Sequence, residues 1–304
     1  MSWDFEKAAG PCKGPTGGLA WDGSAMFFSA VGEERVLRFD PNKHAADEYR
    51  KWTYRVNGLA AGPNGELYGG QEGGRRVVQF LPEGITTPTA LQLDGHFHNF
   101  PCDLAVDRKG RVWFSDPYNP VPAFGPQMYP MLPHQSVLRM RDERGWSLQR
   151  MTYDTQGPRA IALSPDEKTL YVADGDTQAK LRELRAYAIQ EDGTLAAAYR
   201  VLHTFGSDQR GSHRGIEGMC IDAEGNIVAC AGWNKSGPGP LIYVFSPSGA
   251  VLETHPSPAD MPMRVAFGDN ELASLYLTAA DGNLYRAKGT GRRGANRFAG
   301  SKAV

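Results

Sequence analysis

One short pattern recurs six times in this sequence and decides what the chain can fold into: an apolar run, a polar turn, a second apolar run, then a third. The first runs are Leu19-Ala20-Trp21, Leu59-Ala60-Ala61, Leu104-Ala105-Val106, Ile161-Ala162-Leu163, Met219-Cys220-Ile221 and Val265-Ala266-Phe267. The turns after them are rich in Gly, Asp, Asn or Pro, as in Asp22-Gly23, Pro63-Asn64-Gly65 and Gly268-Asp269-Asn270. Second runs follow, among them Met26-Phe27-Phe28, Val112-Trp113-Phe114 and Leu275-Tyr276-Leu277. Several short strands per repeat, at a period of about 40–50 residues, are the signature of a β-propeller. The pattern predicts an all-β fold, a six-bladed β-propeller with four-stranded antiparallel blades.

Third strands are expected over 35–39, 76–80, 136–140, 184–189, 241–245 and 283–286. Weaker outer strands are expected near 48–52, 89–93, 147–152, 198–204 and 250–254. Blade six lacks an outer strand of its own, because the chain after Lys288 turns rich in Gly and Arg. The segment Trp3–Lys7 is expected to fill that place and close the ring, which removes exposed sheet edges. Each blade buries its faces only against its neighbours, so residues 1–304 are read as one domain. The 36 Gly and 21 Pro suit the many tight turns.

A net charge of −1 gives no electrostatic case for nucleic acid or a membrane surface. No apolar run approaches the roughly 18–20 residues of a membrane span. The first residues lack the basic and apolar regions of a signal peptide, so a cytoplasmic protein is expected. Cys12, Cys102, Cys220 and Cys230 have no CxxC spacing. Cys220 and Cys230 read as small buried apolar groups in adjacent strands. A closed ring has no edge that demands a partner, so a monomer or a weak homo-oligomer is expected.

A propeller aims one residue per blade at its central channel. The positions just before the first strands are Gly17, Asn57, Cys102, Arg159, Glu217 and Met263, with Asp103 and Arg264 one place later. Their spacings are 40, 45, 57, 58 and 46 residues. The segment Tyr118–His134, rich in Pro and aromatics, is expected on the same face, as a lid over the mouth or as a rim loop. Trp233 lies in a loop between the second and third strands of blade five. It either stacks on a ring of a substrate or packs the rim. Asn57 either orients a water or substrate hydroxyl or bonds its own turn. His96, His134 and His255 read as solvated loop or turn histidines, and His203 as part of an outer strand.

Three stretches carry a specific resemblance: Asp103-Leu104-Ala105-Val106-Asp107 with Gly110 to Pro117, Ala162 to Asp174, and Gly218 to Asn226. They resemble the senescence-marker-protein/gluconolactonase/luciferin-regenerating-enzyme-like family, and Pro262 to Gly268 with Leu275 to Thr278 resembles its last blade. The resemblance covers essentially the whole chain. It implies a small-molecule substrate, hydrolysis of sugar lactones or related esters, and a divalent cation, calcium or zinc, in the channel. The family's ligand positions, a Glu, two Asn and an Asp, fall here on Gly17, Cys102, Arg159 and Glu217. Only Glu217 keeps an oxygen ligand of that kind, with Asp103 the other carboxylate at hand for a metal. Arg159 brings a fixed positive charge to the place of a cation. Calcium takes six to eight oxygens, so the usual site is expected to be lost or altered.

Two readings of the altered channel stand side by side. Arg159 and Glu217 form a salt bridge that plugs the hole, since a buried Arg requires an anionic partner. Alternatively Arg159, with Arg264, replaces the metal as electrophile, binding a carboxylate or a developing oxyanion. Glu217 or Asp103 is then the general base. Cys102 beside Arg159 is a candidate nucleophile of lowered pKa with His98 as its base, or else a small space-filling residue. His98, Cys102, Asp103, His213 and Glu217 together are the candidate set for a transition metal. The expectation is therefore a lactonase-like or esterase-like hydrolase with a rearranged channel. A metal-independent lyase or isomerase using Arg159 and a carboxylate base, and a non-catalytic ligand-binding propeller, are the alternatives.

Overall fold

The computed structural model describes residues 2–119, 130–175 and 181–295. Six four-stranded antiparallel sheets make up the ring. The inner strands are Thr16–Trp21, Val56–Ala61, Leu104–Val106, Ala160–Leu163, Ile216–Ile221 and Pro262–Gly268. The sixth sheet takes its outer strand from the other end of the chain: Phe5–Ala9 pairs with Leu284–Ala287. The closing segment is thus two residues further along than expected. Trp3 instead stacks on His255, with ring centroids 3.9 Å apart, and donates its indole N–H to the Thr290 carbonyl.

The apolar pattern is spent on the spaces between blades. Six separate buried clusters form, and each joins two neighbouring sheets. Ala20, Phe27 and Val36 of blade one meet Leu59, Val78 and Phe80 of blade two. Leu19, Met26 and Phe39 of blade one meet Tyr276 and Leu284 of blade six. This is why every blade needs two neighbours, and why the ring has to close.

Turn chemistry repeats with the blades. Asp22, Asp107 and Asp222 follow inner strands, and each accepts two backbone N–H groups of its own turn through Oδ1. At the other end of the blades, Asp116 accepts the N–H groups of Asn99 and Phe100, both at 2.8 Å. Asp174 does the same for Gln156 and Gly157. These carboxylates pin the loops that enter the inner strands of blades three and four, and so place Cys102, Asp103 and Arg159.

Two further elements depart from the sequence expectation by more than a shifted end. The outer strand of blade two is Thr86–Pro88, not 89–93. Asp94 and Gly95 both have positive φ and make a two-residue turn that folds Gln92–Leu93 back onto His96–Phe97. In blade five the third strand runs Ser236–Phe245, five residues longer at its start, because Trp233 pairs with Ser236 in an extended hairpin. Of the expected lid, residues 120–129 lie outside the described residues. The returning limb is tied down by Phe97, which exchanges backbone bonds with Pro130 and Leu132.

Candidate functional site

Glycine lets the inner strands crowd together where they begin. A Cβ on Gly18 would lie 2.6 Å from the Leu59 nitrogen, and one on Gly218 would lie 2.6 Å from the Arg264 Cα. Next to these glycines the pairing register slips. Asn57, Glu217 and Met263 each lie opposite no partner residue, and Gly17-Gly18 share one. The channel positions of blades one, two, five and six are therefore β-bulges within strands, not residues preceding them. A bulge re-aims its side chain, and here the target is the channel mouth.

Arg264 closes the channel below that mouth. It is buried and reaches from blade six to blade three, where its Nε lies 3.3 Å from Asp103 Oδ1. Its Nη2 donates to the Cys102 carbonyl at 2.7 Å, and its Nη1 donates to the carbonyls of Met263 and Glu217. The other Asp103 oxygen accepts the Ile161 N–H at 3.0 Å. Burial raises the Asp103 carboxyl, while Arg264 and the Ile161 and Leu104 N–H groups draw it back. Both Arg264 Nη nitrogens are spent on this floor, while its Nε faces Asp103 as an ion pair without a hydrogen bond. The plug expected from Arg159 and Glu217 is thus made by Arg264 and Asp103, and neither of the latter is free to act as electrophile or base.

Above the floor stand Arg159, Arg214 and Glu217. Arg214, which the sequence reading missed, pairs with Glu217: Nε lies 3.2 Å from Oε1. Among the described residues no carboxylate comes within 4.0 Å of the Arg159 guanidinium, which lies against the Cys102 sulfur and feels the Glu217 charge. Burial alone would raise the Glu217 carboxyl. The guanidinium groups of Arg214, Arg159, Arg264 and Arg182 outweigh it and hold the group below the ordinary glutamate range. Asn57 adds a buried Oδ1 that has no hydrogen-bond partner among the described residues.

The other candidates are placed elsewhere or held. Burial pushes the Cys102 thiol up, more than Arg264 and Arg159 pull it down, which favours the space-filling reading over the thiolate. The His98 ring bonds the Ala90 carbonyl at 2.9 Å and lies edge-on to Phe114. Burial depresses it to about 4, and none of its described bonds reaches Cys102. His213 stacks on Phe205 and accepts the Gly215 N–H through Nδ1, and burial likewise lowers it to about 4. Trp233 donates to Ser236 Oγ at 2.6 Å and carries Lys235 over its face. His255 is not solvated: it is buried, stacked on Trp3 and paired with Glu253.

The metal positions implied by the family resemblance can be tested atom by atom. A Cβ on Gly17 would lie 2.8 Å from the Asn57 carbonyl and 3.0 Å from Ser29 Oγ, so local packing closes the first. Cys102 offers a raised thiol 3.3 Å from an Arg264 nitrogen. Arg159 offers a cation, and Glu217 Oε1 is taken by Arg214. Among the described residues no three His, Cys, Asp or Glu side chains converge as metal ligands. Among the described residues, the donor set at these positions does not fit a divalent cation.

A cavity of about 1100 Å³ opens on the far side of the floor, where the inner strands end. Its walls are mostly apolar, including Trp21, Leu59, Met219, Ile221 and Phe267. The carboxylates at its rim serve their own loops: Asp22 caps its turn, Asp269 accepts from Tyr276, and Glu271 pairs with Arg293. The buried cluster of Glu217, Arg214 and Arg159 lies away from this cavity's lining.

Residues 15–281 match the model of the SMP-30/Gluconolactonase/LRE-like region. A gluconolactonase of Zymomonas mobilis is 28% identical over 238 residues, which is 76% of this chain and 62% of that protein. A 6-deoxy-6-sulfogluconolactonase of Pseudomonas putida is 28% identical over 189 residues, 62% of this chain and 57% of that protein. The chain thus spans about three fifths of the length of these curated relatives. A gluconolactonase structure from Xanthomonas campestris superposes with a TM-score of 0.78 at 27% identity, covering 94% of this chain and 89% of that one. Among the described residues no helix is long and apolar enough to cross a membrane.

Proposed function

The chain belongs to the SMP-30/gluconolactonase/LRE-like family, and from that premise we propose that it hydrolyses small lactones or related esters at the Glu217 end of the channel, without a resident divalent cation. The observation that carries the reading is the trio of Glu217, Arg214 and Arg159 on a closed floor: one ionised carboxylate beside two fixed cations. The names of the two curated relatives support the lactone as substrate class.

The chemistry divides among these residues and Asn57. Glu217 takes a proton from water, and the water oxygen bonds to the lactone carbonyl carbon. The carbonyl electron pair moves to its oxygen, where Arg159 meets the developing negative charge. Collapse of the tetrahedral species expels the ring oxygen, which recovers the proton from Glu217 and leaves a hydroxy acid. Arg214 holds Glu217 in place, and the unfilled Asn57 Oδ1 accepts a substrate hydroxyl. A cation is replaced by a guanidinium, which is always charged and carries its own hydrogen-bond donors.

Incubation with a panel of five- and six-membered sugar lactones, followed by proton release and by NMR of the product, tests this. The expected product is the open hydroxy acid. An unsaturated product would point to elimination, and no turnover of any lactone or ester would overturn the hydrolytic reading.

A further inference from the structure

We propose that the mouth selects substrates bearing an anionic substituent, a carboxylate, sulfonate or phosphate, beside the bond to be cleaved, and that Arg214 is its seat. The nature of the scissile bond rests on the hydrolytic reading above; the charge preference does not. The floor is neutral, since Arg264 and Asp103 answer each other. The layer above it is not: among the described residues, Arg159 and Arg214 share the single carboxylate of Glu217. Arg182 flanks the same layer and is felt by Glu217. Its stem packs over Gly215, about 3.0 Å from where a Cβ would be, and its Nε donates to the Arg214 carbonyl at 3.2 Å.

Arg214 also has an unfilled donor. Nε serves Glu217 and Nη2 meets the Met263 sulfur at 3.5 Å, while Nη1 is buried without a partner among the described residues. A buried donor left without an acceptor is destabilising, so a ligand oxygen there gains by filling it. A sugar hydroxyl would fill the bond but leave the surplus charge, whereas an anionic oxygen answers both. Planar guanidinium groups pair with two-oxygen anions in this way. An anion on Arg214 also weakens the field that keeps Glu217 a weak base, and so helps the proton transfer itself.

The test compares a neutral six-membered sugar lactone with the same ring carrying a 6-phosphate or 6-sulfonate, using the full chain. At about 0.01 M ionic strength, where charges reach about 30 Å, the anionic ring is expected to show kcat/KM about tenfold higher or more, ~1.4 kcal/mol. The advantage should shrink near 1 M salt. Arg214→Met should abolish the preference and Arg214→Lys should keep part of it. In a second arm, inorganic sulfate should raise the unfolding temperature of the wild type but not of Arg214→Met. Equal kcat/KM for the two rings would overturn the proposal, and the wild-type ratio and its salt dependence decide this even if Arg214→Met fails to fold. If neither ring is turned over while sulfate stabilises only the wild type, the hydrolytic reading fails and the anion seat stands.

Discussion

Glu217→Gln is expected to lower kcat/KM for the best lactone by about 10²–10⁴, the span usual for loss of a general base. Glutamine keeps the shape and can still meet Arg214, but it cannot take a proton from water. The same substitution leaves Arg159 and Arg214 facing each other without an anion, so unfolding should also become easier. The pH profile carries a further signature. Glu217 is held below its ordinary 4.5 in the folded protein, because the surrounding guanidinium groups outweigh its burial. A carboxyl depressed by folding stabilises the protein above its unfolded pKa, and that contribution is lost as pH falls through the folded value. The acid limb of kcat/KM in the free protein should therefore lie below pH 4.5 and vanish in the glutamine variant. Full activity of Glu217→Gln would remove Glu217 from the mechanism.

The second large effect concerns the floor. Asp103→Asn is expected to destabilise the protein by about 3–5 kcal/mol, the usual consequence of leaving one partner of a buried ion pair uncompensated. Arg264 would then cross the channel with four donors spent on carbonyls and thiol and no carboxylate to answer its charge. Replacing both partners, Asp103→Leu with Arg264→Met, should recover part of the loss, since an apolar pair carries no desolvation penalty. Denaturant unfolding of the three variants checks this. A change below about 1 kcal/mol in Asp103→Asn would mean that the pair does not hold the channel closed.

Much of this architecture was readable before any coordinates, and the reason is physical. Six blades repeat the same burial problem, so apolar runs and Asp- or Gly-bearing turns recur where strands and turns recur. The inner-strand starts could be counted off, which brought Asn57, Cys102, Asp103, Arg159, Glu217 and Arg264 into view. Which of them pair with which was not legible. The Arg264–Asp103 bridge joins residues of blades three and six, facing each other across the ring, and no local pattern records such a contact. Arg214 lies in the loop before blade five, outside the repeat. Its one signal was an opposite charge three residues ahead of Glu217. The two readings of Cys102 stayed open for a related reason: nearness to Arg159 could be inferred from the channel position, whereas burial, the larger influence, could not. The outer strand of blade two was displaced by Asp94-Gly95, a turn that the run of Thr, Leu and Gln around it concealed.

The central claim is that arginines and Glu217 act where a cation would otherwise stand. The most direct measurement is lactone turnover by one preparation before and after exhaustive chelation and after calcium or zinc is added back, with elemental analysis of the same sample. The account predicts unchanged turnover throughout and no metal in stoichiometric amount. Activity that is lost on chelation and restored by the metal would contradict it.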